Sequence, residues 1–412
     1  MELDKLRIWF VSTYDSPIGQ SCRTYDFATA LTERGHDVTF FTSSYSHHTH
    51  QERLDKGVKW QEEYFGKVRV IWLKTFPYRG NGWQRAINMI SSGWRAFGVG
   101  RKLPEKPNVI IGPSVPLFTG LVAYFLSKVK NCQFCFEVRD IWPQSLIDLG
   151  VLSPKSPATF IFKIIEKYLY LRAKKIIVVL PFAYKHICKY GIPPDKIIWI
   201  PNGINFSRFS SSKSYDGGNA HSLVAMYVGG FATTHDVETI IHAANILRDI
   251  NVTNIRFVVV GYSQDKNKYK KLLELGAANG VQFQDTVPKE DISKVLEEGD
   301  VLIASVKDTP VYQFGINSNK ILDYFASGRP IIFAVNSPND PVKDANAGLS
   351  IPPEDPKAMS EALKTFLMMS PEERKRLGQN GLEYGRKNLD VQVLVQTLER
   401  VLLEVNEYNM ED

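Results

Sequence analysis

Short apolar runs alternate with helix-length amphipathic stretches along almost the whole chain, and this alternation is what most limits its fold. Strands are expected at 7–12, 37–41, 68–73, 109–112, 132–138, 175–179 and 197–200, with helices at 24–33, 83–102, 120–128 and 157–172. A strand that returns parallel to its neighbour needs a crossover, so repeated strand–helix–strand units give a parallel sheet covered on both faces. A polar, Gly/Ser-rich stretch at 210–219 interrupts the pattern. It resumes with strands at 223–228, 256–260, 281–283, 301–304 and 330–334, and with helices between and after them. A chain of 412 residues exceeds what one core serves. The expected architecture is therefore α/β, with two doubly wound domains. One covers 1–203, with a helix at about 388–412 packing back on it, and the other covers 204–387.

Composition narrows the class. Apolar residues make up 44% and charged residues 23%, as in soluble globular proteins. A formal net charge of +6 is too weak for a dedicated nucleic-acid binder and suits anionic small ligands or an anionic membrane surface. Four cysteines (Cys22, Cys132, Cys135 and Cys188) are too few for a disulfide framework, which points to a reduced compartment. Cys132 and Cys135 lie three apart in a strand-like run, so they point to opposite faces, and they read as buried structural residues. The N-terminus leads straight into a strand without a leader, and no apolar run reaches the roughly 18 residues of a spanning helix. A cytoplasmic location is expected. His47, His48 and His50 read as a solvated loop run, not a metal-ligand set.

The stretch 315–332 carries the strongest chemical signal. Ile321, Leu322, Phe325 and Ala326 recur at helical spacing, Gly328 sits where a left-handed C-cap is wanted, and Pro330 follows. Asn317, Ser318, Asn319 and Lys320 therefore crowd the N-terminus of a short helix, where unpaired N–H groups and the dipole suit a phosphate. Asp323, one turn on, can accept from ribose hydroxyls. The rival reading is an ordinary helix–strand joint with a solvated lysine. A second signal is Glu137-Val-Arg139-Asp140-Ile-Trp142-Pro143, where charged residues end an apolar strand. Arg139 and Asp140 there must pair or meet a ligand. Gly229-Gly230-Phe231, followed by Thr234, forms a Gly-rich strand–helix loop that can cradle phosphates. The loop holding Gly19 and Gln20 lacks the G-x-G-x-x-G spacing, which disfavours a nicotinamide dinucleotide.

The run Asn319-Lys-Ile-Leu-Asp-Tyr-Phe-Ala-Ser-Gly-Arg-Pro330 resembles the donor motif of the retaining glycosyltransferases of family 4. It is most similar to the bacterial branch that builds O-antigen and capsule repeat units and includes N-acetyl-L-fucosaminyl transferases. Arg34-Gly35-His36, Arg139-Asp140 with Trp142-Pro143, and Pro201-Asn202-Gly203 resemble further family signatures. The resemblance implies the GT-B fold, two Rossmann-like domains facing across a cleft, and a UDP-sugar donor with no metal. It places the donor at Gly19, Gln20, Gly229, Gly230, Phe231, Thr234, Val287, Asn317, Ser318, Asn319, Lys320 and Asp323. It gives Asp140, Arg139 and Lys320 catalytic roles, and it sets Asn202, Trp142 and Arg23 on the acceptor side. Three positions depart from the family: Gly230 stands where Arg is usual, His235 where Lys is usual, and Gly315 where a Glu usually holds the donor sugar. Lys320 is therefore expected to carry the diphosphate's neutralisation.

The family branch also implies an acceptor sugar linked to polyprenyl diphosphate, and hence contact with the cytoplasmic face of an inner membrane. The helix beginning near Trp83 suits such a surface, with Arg85, Trp94 and Arg95 among its basic and aromatic residues. A core-packed helix is the alternative. A UDP-sugar 2-epimerase of the same architecture and a non-catalytic sugar-nucleotide binder are the rival functions. Oligomeric state is not legible.

Overall fold

The computed structural model describes residues 5–18, 23–47, 49–80, 82–263 and 265–407. They form two compact units, Met1–Asn202 with Val391–Asp412, and Gly203–Asp390.

Among the described residues, the first unit holds an eight-stranded sheet in the order β3-β4-β2-β1-β5-β6-β7-β8. The strands are β1 (Arg7–Val11), β2 (Asp37–Ser43), β3 (Trp60–Phe65), β4 (Val68–Leu73), β5 (Val109–Pro113), β6 (Gln133–Val138), β7 (Lys175–Val178) and β8 (Ile197–Trp199). All neighbours pair in parallel except β3, which runs antiparallel to β4 at the edge. Sequence periodicity misses β3 because Trp60-Gln-Glu-Glu-Tyr-Phe has no apolar run; an exposed edge strand needs only backbone pairing to one neighbour. The helices α1 (Arg23–Glu33), α2 (Trp83–Gly100), α3 (Leu117–Lys130) and α4 (Pro157–Arg172) pack around the sheet. The C-terminal helix, Val391–Glu407, joins the same core. Leu394, Val395, Leu398, Val401 and Leu402 are buried with Phe27 and Leu31 of α1, each worth on the order of 1.5–3 kcal/mol. Glu399 fixes the helix's rotation by accepting from Arg34 and His36, both at 2.8 Å.

The second unit holds a six-stranded sheet in the order β11-β10-β9-β12-β13-β14, parallel throughout. Its strands are β9 (Leu223–Val228), β10 (Ile255–Val260), β11 (Val281–Gln284), β12 (Val301–Ser305), β13 (Ile331–Ala334) and β14 (Gly348–Ile351). The helix α5 (Asn319–Ser327) leads into β13 and ends, as its sequence predicts, on Gly328 in the left-handed region at φ 66°. In both sheets the chain winds outward in two directions from a central pair, β1 and β5 in one and β9 and β12 in the other. The crevice beyond the carboxyl ends of such a pair is where doubly wound sheets hold ligands.

A buried charge network closes this end of the first sheet. Arg139, just past β6, directs Nε to Glu137 at 2.7 Å, Nη1 to Asp15 at 2.7 Å and Nη2 to Thr24 Oγ1 at 2.6 Å. Arg23 meets the other Glu137 oxygen at 2.8 Å and donates to the carbonyls of Ile200, at 2.9 Å, and Pro201. The ends of β1, β6 and β8 and the start of α1 are thereby tied together. Burial alone would raise Glu137's pKa. The facing Arg139 and Arg23 guanidinium groups more than reverse this and hold it at about 2 against an ordinary 4.5.

A shift of that size is worth about 3 kcal/mol. Because the folded value is depressed, this stability is complete above pH 4.5 and is lost as pH falls toward 2. Glu137→Gln leaves two buried guanidinium groups facing Asp15 alone, and is expected to cost about 3–5 kcal/mol at neutral pH. All seven tryptophans lie in this unit, so urea unfolding followed by tryptophan fluorescence isolates its transition. Equal midpoints for variant and parent at pH 7 would show that the network contributes nothing.

Candidate active site

In the second unit β9 runs into Gly229-Gly230-Phe231 at the switch point. Sheet-like bonding persists past the strand ends: Gly229 N–H donates to Val260 O at 2.9 Å and Phe231 N–H to Tyr262 O at 3.0 Å. The loop backbone is therefore held rigid. The Tyr227 hydroxyl and His235 Nδ1 both meet Gly230 O, the former at 3.0 Å. Over this loop sits α5. Its buried Tyr324 pins it there: Val228 N–H donates to the Tyr324 hydroxyl at 2.9 Å, and that hydroxyl bonds Ile303 O at 3.1 Å. One side chain thus locks the helix to β9 and β12 together. Ser318 is the N-cap residue and makes no side-chain capping bond, and helix N-termini of this kind favour anions through their N–H groups and dipole.

Lys320, in the first turn of α5, is the centre of the site. Its Nζ lies 3.6 Å from the centroid of the Tyr227 ring, a cation–π seat. Its Cε lies 2.7 Å from where a β-carbon on Gly229 would stand, and Gly229 has φ +148°. Both space and backbone therefore demand glycine there. Among the described residues no carboxylate lies within 4.0 Å of the ammonium, and burial pushes its pKa well below the ordinary lysine value. His235 does not share the charge. Burial, helped by Lys320, lowers it to about 4 against the pull of the Gly230 carbonyl, so the imidazole is neutral at pH 7. A half-buried cation without a counter-ion is costly, and an arriving anion would relieve it.

The other sequence-derived donor residues divide. Asn317, Ser318 and Asn319 stand at the N-terminal end of α5. Asp323 is engaged by Lys289, two residues past Val287, so the loop after β11 is drawn to the helix. Sequence reasoning passed over Lys289 because a surface-type lysine in a loop carries no periodic signal. Thr234 O accepts from the N–H of Lys307, a further cation at the end of β12, at 2.9 Å. The Phe231 side chain is 4% exposed and packs on Tyr227, Tyr269 and Phe283, so it anchors the loop in the core. Gly19 and Gln20 lie outside the described residues.

In the first unit Arg139 and Arg23 are occupied by the network described above, which leaves their charges balanced by Asp15 and Glu137. They hold the strand ends in place and do not present a free cation to a ligand. Asp140 differs. It is exposed, its backbone is engaged with Ser114 and Trp142, and its carboxylate makes no hydrogen bond or close ion pair among the described residues, although the Arg139 charge acts on it. Trp142 is half-buried with its ring on Phe162 of α4, centroids 6.2 Å apart, so it braces a helix. Asn202 follows Pro201, whose carbonyl Arg23 holds. Trp83 and Trp94 are exposed and Arg95 half-buried, whereas Arg85 turns inward over the Tyr14 ring at 5.2 Å. Cationic attraction to that ring, plus an Nε bond to its hydroxyl at 3.3 Å, removes Arg85 from any outer face. His47 is a further correction. It stacks with Tyr78 at 5.9 Å and lies 5.2 Å from Tyr14 at the carboxyl ends of β1, β2 and β4, and is no part of a solvated run.

Two family profiles match the chain: Glycosyltransferase Family 4 over residues 18–208 and Glycosyl transferases group 1 over residues 222–368. No curated protein sequence matches it. Among solved structures, sucrose-phosphate synthase from Thermosynechococcus elongatus is 17% identical with a TM-score of 0.74, over 97% of this chain and 99% of that one. HepE from Anabaena, crystallised with UDP and glucose, is 13% identical with a TM-score of 0.67, over 96% and 99%. WaaG, a glycosyltransferase involved in lipopolysaccharide biosynthesis, is 16% identical with a TM-score of 0.65, again over 96% and 99%. At such identities the likeness is one of fold. With both profiles in order along two parallel-sheet, Rossmann-like units, the chain is a family 4 glycosyltransferase of the GT-B fold.

Proposed function

We propose that the chain transfers an N-acetylated or deoxy hexose from a UDP-sugar to a polyprenyl-diphosphate-linked saccharide, with retention of anomeric configuration, in bacterial surface-polysaccharide assembly. The second unit is assigned the donor and the first the acceptor. The observation that carries the donor half is Lys320, a lysine with no carboxylate partner in the first turn of α5 beside Gly229. UDP is favoured as the nucleotide because HepE was crystallised with UDP and another fold neighbour with UDP-2-fluoro glucose. The run 319–330 supports the O-antigen and capsule branch, and with it the lipid-linked acceptor at the cytoplasmic membrane face.

The chemistry follows from where charge develops. As the glycosyl–phosphate bond breaks, negative charge grows on the departing diphosphate and positive charge on the sugar ring. Lys320 and the first-turn N–H groups of α5 meet the former with preorganised positive potential. Lys289 orients Asp323 for the ribose hydroxyls. Asp140, whose carboxylate makes no hydrogen bond to the network, is assigned to sugar hydroxyls.

Lys320→Ala should cut turnover with UDP-glucose or the native donor by about a hundredfold or more. The same variant should melt no lower than the parent, because it removes an uncompensated charge from the interior. A variant that loses activity and melts far lower would mean that the lysine is structural, and near-normal turnover would reject the diphosphate role. Proton linkage gives a separate check. The free-state pKa of Lys320 is lowered and a bound diphosphate raises it, so binding takes up a proton between those two values. Affinity is then highest on the acid side and falls as pH rises through the free-state value. Titration calorimetry with UDP-glucose in buffers of different ionisation enthalpy measures the uptake, which should vanish in Lys320→Ala. Incubating the enzyme with UDP-sugars and a lipid-linked acceptor tests the reaction: new glycoside supports transfer, and an epimerised nucleotide sugar does not.

A further inference from the structure

The three helices α2, α3 and α4 form one layer. Gly93 and Gly100 of α2 lie so close to Val122 and Leu126 of α3 that a β-carbon on either would stand 2.9 and 2.7 Å from those side chains. Tyr124 of α3 meets Tyr168 of α4 edge to face, with ring centroids 5.4 Å apart. The outer side of this layer is not the polar surface that a solvated helix presents. Trp94 is 71% exposed and Phe160 67%, with Ile90, Phe125, Val129 and Ile164 also open to solvent. Scattered exposed apolar residues are ordinary; a set running across three neighbouring helices marks an interaction surface.

Charge identifies the partner. Across α2, α3 and α4 the sole acidic residue is Glu166, and it is fully buried, accepting from Tyr170, Tyr190 and His186. The basic residues Lys128, Lys163, Lys167 and Arg172 are exposed and Arg95 is half-buried, so every exposed charge on the layer is positive. Long basic side chains interleaved with Trp, Phe and Ile suit a bilayer, where the aliphatic stems snorkel and the charges reach anionic headgroups. Among the described residues no helix is long and apolar enough to cross a membrane, so the layer would lie on one. Between α2 and α3, Ile90, Trp94, Phe97, Phe118, Leu121 and Phe125 line an apolar groove of about 260 Å³. That is below the roughly 300–1,000 Å³ of small-molecule sites and suits one hydrocarbon chain.

The geometry points to α2, α3 and α4 together as a docking face for an anionic lipid bilayer, with the α2–α3 groove taking one acyl chain. This deepens the membrane part of the proposed function, extending it from one helix to three, and it rests on this surface and not on the donor site. The test is sedimentation of the full chain with vesicles of two parts phosphatidylcholine to one part phosphatidylglycerol, against pure phosphatidylcholine. The parent should bind the anionic vesicles and be released by salt. Phe160→Ser with Ile164→Ser, and separately Lys163→Glu with Lys167→Glu, should each lower partitioning more than tenfold, at roughly fivefold or more per lost charge. Both double variants should keep the parent's melting temperature and UDP-glucose affinity, because they touch only solvent-exposed side chains of α4. Failure of the parent to sediment, or unchanged partitioning of the α4 variants, overturns the proposal. So does a parent that ignores vesicles but forms dimers that these variants dissolve, which would make the face an interface between copies. Loss of UDP-glucose binding in every protein, the parent included, would sink the donor reading and leave this one standing.

Discussion

Parallel pairing sends the carboxyl ends of the strands in a sheet to one edge, and the charge network and the Lys320 constellation lie at two such edges. Where the winding direction reverses, between β1 and β5 and again between β9 and β12, the loops diverge and leave a crevice. In the second unit a single hydroxyl decides what faces that crevice. Tyr324 bonds both central strands, so α5 cannot slide or rotate without breaking those bonds, and Lys320 in its first turn is placed accordingly.

The two edges treat charge in opposite ways, and the contrast separates scaffold from site. In the first unit Arg23, Arg139, Glu137 and Asp15 form a closed set in which each guanidinium nitrogen has a partner. A network satisfied to that degree rigidifies, and has little left to offer a ligand. In the second unit Lys320 has an aromatic face, a neutral imidazole nearby and no carboxylate partner. A charge without a counter-ion costs stability in the free protein, and this is the physical basis for assigning the ligand to the lysine and not to the paired arginines.

The layer of α2, α3 and α4 follows the same logic on the outside of the fold. Small residues in α2 let it approach α3 closely, and edge-to-face tyrosines join α3 to α4, so three amphipathic helices become one surface. No one helix has enough exposed apolar area to argue from. The combination, with its single sign of exposed charge, does.

Periodicity alone determined the α/β class, the two parallel sheets and the helix stop at Gly328, because these depend on local spacing and on backbone preference. The Asn319–Pro330 run likewise marked the candidate phosphate helix, since a cap position, a lysine and a glycine stop are all read within a few turns. Tertiary structure decided the rest. Arg139 is balanced and Lys320 is not because their partners arrive from distant segments: Asp15 lies 124 residues from Arg139, and Gly229 and Tyr227 come from another strand end than Lys320. Arg85 and His47 look solvent-facing in one dimension and are drawn inward by Tyr14 and Tyr78. Edge strand β3 forms because β4 offers it backbone groups, not because its own residues demand it. Local patterns fix which elements form; the sign, partnering and accessibility of each charge are long-range properties that exist only once the sheets have closed.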